Sequence, residues 1–342
     1  MTVLVTGGSG LVGSHVLEAL RARGEQVRAL VRSESRADVE SFGAEPVIGD
    51  VTDEAAWRRA ADGVRGIVHA AALVARRAPF HEFERVNIGG TRLATEAARR
   101  TGARLIHVSS VAVYGRSVTY AAGHGMVTED FPFQPLPARD FYARTKRMAD
   151  ELVQREASAG GLTAVSIRPN VIYGERDRLF TPRVIATVRR GFMPQIGPGT
   201  NQLSCVYAGN VASAIVAALD APPMKGFRAY NVTHDAPPLL EQREFFAAFA
   251  AALGVRPRTL HIPILFARLG VGVWSTALRL LGPSRYAGLG AAAVSFVIGE
   301  NPYSIARIRA ELGWTPPYDA RTAIQRAVPW FTTAETPSGA NL

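Results

Sequence analysis

The chain has 342 residues, 47% of them apolar, with 39 basic against 29 acidic side chains for a net charge of +10. That length has room for a sizeable core, either as two domains or as one large α/β unit, and the composition is that of a globular protein. No run of five like charges and no aromatic-basic motif occurs, so the charge reads as an arginine-biased surface and nucleic-acid binding is excluded from the reading. Cys205 stands alone, which rules out an intrachain disulfide and a zinc-type cysteine spacing, so no metal site is expected. No charged n-region and apolar h-region precede the first glycine turn. The expectation is therefore a protein of the reducing cytoplasm.

Short β-branched runs at Val3–Val5, Val27–Val31, Pro46–Ile48, Gly66–His69 and Leu105–Val108 read as strands. Between them, stretches such as Leu11 to Arg23 and Phe83 to Arg100 carry helical spacing of apolar residues. Strand–helix alternation predicts right-handed crossovers and a doubly wound parallel sheet, a Rossmann fold, with ligands bound at the carboxyl ends of the strands. The expected boundaries are a dinucleotide-binding domain over 1–168, to which 204–233 returns, a smaller and mainly helical substrate-binding domain over 169–331, and a polar tail over 332–342.

After the first strand comes Thr6-Gly7-Gly8-Ser9-Gly10-Leu11-Val12-Gly13. Glycines at 7, 10 and 13 permit a tight turn, close approach of a diphosphate and tight helix–strand contact, while the helix starting near Leu11 aims its N–H groups and dipole at that diphosphate. The spacing is one residue wider than the common dinucleotide fingerprint, but its place between strand and helix makes Gly7, Ser9, Gly10, Leu11, Val12 and Gly13 the expected cofactor loop. At the end of the second strand, Val31-Arg32-Ser33-Glu34-Ser35-Arg36 offers no carboxylate on the strand end. Arginine accommodates a ribose 2′-phosphate, so NADP is favoured over NAD, with Arg32, Ser33 and Arg36 as its ligands. A stacking role for Arg32, and NAD held by Glu34, remain the other reading. After the third strand, Asp50 and Val51 are placed beside the adenine; capping of the next helix by Asp50, or by Thr52 or Asp53, is the alternative.

The fifth strand ends in Val108-Ser109-Ser110-Val111-Ala112-Val113-Tyr114-Gly115, again at the ligand edge. Further on, Tyr142 and Lys146 stand four residues apart, on one face of a helix. Lys146 is one of two lysines, with Lys225, in a chain that otherwise uses arginine. A serine hydroxyl can bond a substrate carbonyl, a tyrosine can exchange its proton, and a neighbouring ammonium is expected to lower the phenol's pKa. A compact ammonium reaches both ribose hydroxyls and a tyrosine better than a planar guanidinium does. An exposed tyrosine and a snorkelling lysine would be the plain reading of an isolated pair. His69 and His107, inside strands, read as core residues.

These motifs, TGGSGLVG, GDVTD, HAAA, VNIGGT, VSSVAVYG, YARTK and RPNVIYG, occur in order over nearly the whole chain, which resembles an extended short-chain dehydrogenase/reductase. The resemblance implies Ser110, Tyr142 and Lys146 as the catalytic trio, with Asn87 supporting the site. It also implies Ala70, Ala71 and Ala72 along the cofactor cleft, Pro169, Asn170 and Val171 near the nicotinamide, and a homodimer formed through the helices on either side of the fifth strand. Members that dehydrate nucleotide sugars carry an Asp-Glu pair directly after the catalytic hydroxyl residue; here those positions are Val111 and Ala112, which argues against dehydration.

Residues 261–281 contain only two charges, Arg268 and Arg279, and a second apolar run spans Leu289 to Ile298. Such segments would line a pocket for a greasy substrate, and buried helices, a membrane-facing surface and a substrate lid are all open readings. With Ser204–Ala212, they resemble the 3β-hydroxysteroid dehydrogenase-like branch, which includes reductases of long-chain 2-alkyl-3-oxoalkanoates. The expectation is an oxidoreductase interconverting a secondary alcohol and a ketone on an apolar substrate. A nucleotide-sugar 4-epimerase with tightly held NAD and a non-catalytic NADP-binding redox sensor are the alternatives, told apart by sugar interconversion without net redox and by binding without turnover. Arg176 and Asp177 either border the pocket or form a surface ion pair.

Overall fold

The computed structural model describes residues 2–74, 78–115, 126–222, 224, 226–265, 297 and 299–333. Eleven strands occur among them: β1 Thr2–Thr6, β2 Gln26–Val31, β3 Glu45–Ile48, β4 Val64–His69, β5 Arg104–Val108, β6 Thr163–Pro169, β7 Val171–Tyr173, β8 Phe192–Ile196, β9 Cys205–Tyr207, β10 Gly226–Val232 and β11 Arg258–Ile262. Seven form one sheet in the order β10-β6-β5-β4-β1-β2-β3, every neighbouring pair parallel. Strand order reverses between β1 and β4, which opens the crevice where such sheets bind ligands. The chain thus has the doubly wound fold that the strand–helix alternation predicts.

The crossover helices are α1 Leu11–Ala22, α2 Arg36–Ser41, α3 Glu54–Ala60, α4 Phe80–Phe83, α5 Gly90–Thr101, α6 Phe141–Ser158, α7 Thr181–Arg189, α8 Ala208–Asp220, α9 Gln242–Ala252, α10 Ala306–Leu312 and α11 Ala320–Trp330. On one face of the sheet, Val3, Val5, Val68, Ile106 and Ile167 pack with Val16 and Leu20 of α1, Ile215 and Leu219 of α8, and Ile308 and Trp314. On the other, Leu4, Ile67, Leu105 and Ala164 meet Trp57, Ala94, Ala98 and Val153 from α3, α5 and α6. Burial on both faces is why these strands read as near-continuous apolar runs.

A further core joins Tyr173, Val184, Val188, Phe245, Phe249, Ile324 and Val328 from β7, α7, α9 and α11. Two small parallel pairs, β7–β9 and β8–β11, belong to this part of the chain. The apolar run 261–298 falls outside the described residues at 266–296 and 298, as does most of the tail, 334–342. Among the described residues no helix is long and apolar enough to cross a membrane.

One predicted helix differs in detail. Phe83 to Arg100 is built as α4, a π-helical turn over Glu84–Gly89, and α5. The wider turn lies at Asn87, whose buried side chain has work to do at the site.

Candidate active site

Gly7 sits at φ +71°, and a Cβ there would lie 2.7 Å from the Ala71 backbone nitrogen. At Gly13 a Cβ would fall 2.1 Å from the Gly7 carbonyl oxygen, so only glycine lets α1 approach the turn this closely. The helix begins at Gly10 with no side-chain cap and no acidic residue in its first turn. By contrast, Asp53, Asp140 and Asp319 each cap a helix with a side-chain oxygen. The free N–H groups and positive dipole end of α1 thus face the loop of Gly7, Ser9, Gly10, Leu11, Val12 and Gly13, a cradle whose shape and polarity fit a dinucleotide diphosphate.

At the end of β2, Arg32 and Arg36 are exposed, with Arg32 Nε 3.0 Å from Glu34 and Arg36 Nε 2.8 Å from Glu40. Asp50 does not cap α3; Asp53 does, accepting from Ala55 N at 2.9 Å. Asp50 Oδ1 accepts from the backbone and hydroxyl of Thr52 at 2.9 and 2.7 Å. Burial raises its carboxyl, but those two bonds together with Arg85 and Arg32 outweigh it and hold it below the usual range. The Val51 carbonyl accepts from Trp57 Nε1 at 2.8 Å, which fixes the loop after β3 against α3.

Ala70, Ala71 and Ala72 leave β4 half-buried beside the glycine loop, and Ala71 N–H donates to Thr6 Oγ1 at 3.3 Å. Asn87 ties the next residue down: its Oδ1 accepts from Leu73 N at 2.7 Å and its Nδ2 donates to Leu73 O at 3.3 Å and to Thr145 Oγ1 at 3.0 Å. One amide therefore joins the loop after β4 to α6 beside Lys146. Thr145 carries no role in the sequence reading, although its place next to Lys146 was a signal that could have found it.

Ser110, two residues past β5, is in extended conformation and caps the short turn Val111–Tyr114, its hydroxyl accepting from Ala112 N at 3.1 Å. The Tyr142 phenol stands beside the Ser110 hydroxyl. Burial pushes that phenol up to about 12, the Ser110 hydroxyl works against the rise, and Asp140 adds to it. The expected lowering by an ammonium is thus not what the structure shows: burial prevails, and Lys146 donates to the Val108 carbonyl at 2.7 Å. Lys146 is 4% exposed, and burial brings it down to about 8 against the attraction of Asp150. His69 and His107 are buried core residues, as expected, and burial drives both well below the ordinary imidazole range.

Pro169 ends β6 and Val171 is 37% exposed at the carboxyl edge. Asn170 Nδ2 turns to Ser204 Oγ at 3.1 Å and to the Thr233 carbonyl at 2.9 Å, bracing the strand ends. Arg176 forms an ion pair with Glu18 at 2.5 Å, while the buried Asp177 accepts backbone N–H bonds from Leu179, Phe180 and Thr181. Ser110, Tyr142, Lys146 and Asn87 therefore converge beside β5, and Arg32, Ser33, Arg36 and Asp50 stand across the crevice beyond β1. Among the described residues no group of three or more His, Cys, Asp or Glu side chains could hold a metal ion.

Residues 3–233 match the NAD dependent epimerase/dehydratase family. The chain is 34% identical over 318 residues to the 4-hydroxy-2-methyl-3-oxo-4-farnesyl-3,4-dihydroquinoline-1-oxide ketoreductase of Stigmatella aurantiaca, covering 92% of each. It is 30% identical to the 2-alkyl-3-oxoalkanoate reductase of Stenotrophomonas maltophilia over 74% of this chain and 76% of that one. The UDP-glucose 4-epimerase of Thermus thermophilus, solved with NAD, shares the fold at a TM-score of 0.69 with 24% identity, over 98% of this chain and 100% of its own.

Proposed function

This chain belongs to the NAD dependent epimerase/dehydratase family and is an NAD(P)-dependent oxidoreductase of it, and we propose that it reduces a ketone to a secondary alcohol on an apolar, steroid-like or long-chain 2-alkyl-3-oxo substrate. The observation that carries this reading is the Tyr142 phenol beside the Ser110 hydroxyl just after β5, with Lys146 one helical turn along α6. Bound nicotinamide supplies the hydride. Tyr142 gives its proton to the carbonyl oxygen, and Ser110 donates a hydrogen bond to the same oxygen as charge develops on it. A phenol held at about 12 is protonated at neutral pH, the form that reduction requires. Lys146, with two N–H groups beyond the one given to Val108, would hold the nicotinamide ribose.

Apolar substrates are supported by the relatives' activities, and the absence of an acid–base pair at Val111 and Ala112 argues against dehydration of a sugar. The test is a panel of apolar ketones offered with NADPH: oxidation of the cofactor by one of them is expected, and oxidation by none would remove the reading. The pH profile supplies a second check. For the reverse reaction Tyr142 must lose its proton, so kcat for alcohol oxidation should climb with pH and reach no plateau below about 10. A plateau under pH 8 would mean that the phenol in the working complex is much more acidic than burial alone makes it.

NADP is the favoured cofactor in this reading. Arg32 and Arg36 are exposed at the end of β2, with no carboxylate on the strand itself. Arg32→Glu should weaken NADPH binding about 10- to 100-fold, the value of one charge-assisted bond, and leave NADH within a few fold. Equal weakening of both would assign Arg32 to adenine stacking instead. A homodimer through α5 and α6, where Met148 is exposed, belongs to the same proposal and is to be checked by light scattering. Ile264 and Leu265, exposed where the apolar run begins, support peripheral contact with a lipid surface.

A further inference from the structure

Tyr142, Lys146 and Asp150 follow one another at intervals of four along α6, so all three share one stripe of the helix. The first two belong to the proposed chemistry; the third has no part in it. Asp150 is fully buried, its Oδ2 accepts from Arg168 Nη2 at 2.5 Å, and its Oδ1 has no hydrogen-bond partner. Arg168, on β6, is 2% exposed; its Nη1 donates to the Tyr114 hydroxyl at 3.0 Å and to the Glu129 carbonyl at 3.3 Å, while its buried Nε has no hydrogen-bond partner. Its guanidinium lies over the Tyr114 and Phe133 rings, 5.2 and 5.5 Å from their centroids. This is a charge pair built into the interior, not a surface contact.

Lys146 faces few groups that could balance its charge. From α6 come Tyr142 and Asp150; from β4 and β5 come His69 and His107, stacked with centroids 5.9 Å apart and both neutral; from β6 comes Arg168, with Tyr114 and Glu129 behind it. The Val108 carbonyl contributes only a dipole. A buried ammonium in such surroundings sheds its proton unless an opposite charge stands close. Asp150 is the negative group nearest along the helix, and its unpartnered Oδ1 is the half of the carboxylate that Arg168 does not engage.

We propose that Asp150 is the counter-charge that keeps Lys146 protonated and oriented in the crevice, and that Arg168 sets how much of that charge reaches the lysine. Asp150 is a positioning residue, acting through Lys146. Its consequence for turnover rests on the ketoreductase reading, whereas the charge relation can be measured without any substrate.

The chain's two lysines make that measurement direct. In protein labelled with [13C]lysine, the ε-methylene signals of Lys146 and Lys225 are followed through a pH titration, with Lys225→Arg assigning them. The wild-type Lys146 midpoint is expected near 8. Asp150→Asn should lower it by about one pH unit or more, and Arg168→Gln, which frees Asp150, should raise it. Asp150→Glu should bring it back toward the wild-type value, and the alkaline limb of kcat for ketone reduction should follow the midpoint in each variant. A midpoint unmoved in folded Asp150→Asn overturns the inference. If that variant does not fold, the sign in Arg168→Gln decides, because a fall there contradicts the proposal as firmly. Midpoints that move as stated in a protein that reduces no ketone would retire the proposed function and leave the charge relation standing. Ketone reduction with an unmoved midpoint would do the reverse.

Discussion

Tyr142→Phe should lower kcat for ketone reduction by about three powers of ten while leaving the Kd for NADPH within about twofold. Tyr142 is half-buried on the first turn of α6 beside Ser110, and its phenol stays protonated because burial outweighs the influence of that hydroxyl. Phenylalanine keeps the ring and its packing, and removes only the atom that delivers the proton. The cofactor cradle lies across β4 from it, in the loop of Gly7 to Gly13, and is untouched by the change. Steady-state kinetics with a fluorescence titration of NADPH would check both halves. Retention of most activity would mean that another group protonates the oxygen.

Gly13→Ala should abolish measurable cofactor binding, at least about 100-fold weaker, and destabilise the fold by about 1–3 kcal/mol. The new methyl would fall 2.1 Å from the Gly7 carbonyl oxygen and 2.9 Å from Gly8 Cα, both backbone atoms that no side-chain rotation can move aside. The N-terminus of α1 must then back away from the turn, and its N–H groups lose their aim on the diphosphate. Gly24→Ala is the control: Gly24 has φ +75° and nothing within 4 Å of its would-be Cβ. That substitution should cost only the backbone strain of a left-handed alanine, about 1 kcal/mol, with cofactor affinity intact. Urea unfolding and NADPH titration on both variants separate loss of the cradle from loss of the fold.

The parts of this molecule that were legible in the sequence are those fixed by short-range rules. Strands buried on both faces write themselves as apolar runs, a glycine turn between strand and helix marks the dinucleotide loop, and spacing of four residues puts Tyr142 and Lys146 on one face. What was not legible depends on contacts made across the fold. Asp150 stood in the same helical stripe as Tyr142 and Lys146, yet its partner Arg168 lies on β6 and only the folded sheet brings them together. Asn87 was placed near the site, but the π-helical turn that lets it clamp Leu73 to Thr145 leaves no mark in the apolar spacing of that segment. The phenol's acidity went the wrong way for the same reason: burial is a property of everything packed around Tyr142, and it exceeded the single charge that spacing suggested.

Val111 and Ala112 argue against dehydration but do not separate a reductase from an epimerase. The nucleotide-sugar epimerase with the same fold shares under a quarter of its residues with this chain, so its chemistry does not transfer. The difference between the two chemistries is the fate of the hydride, which an epimerase returns to the sugar and a reductase leaves on the product.

Following that hydride is the most direct test. NADPH carrying deuterium at the transferable C4 position is incubated with the protein and an apolar ketone of the 2-alkyl-3-oxo or steroid class, with a UDP-sugar in a parallel reaction. The expected result is stoichiometric deuterium on the carbinol carbon of the apolar product, one label for each cofactor oxidised, and no change in the sugar. Interconversion of the sugar with no net oxidation of the cofactor, and no label in any apolar alcohol, would contradict it.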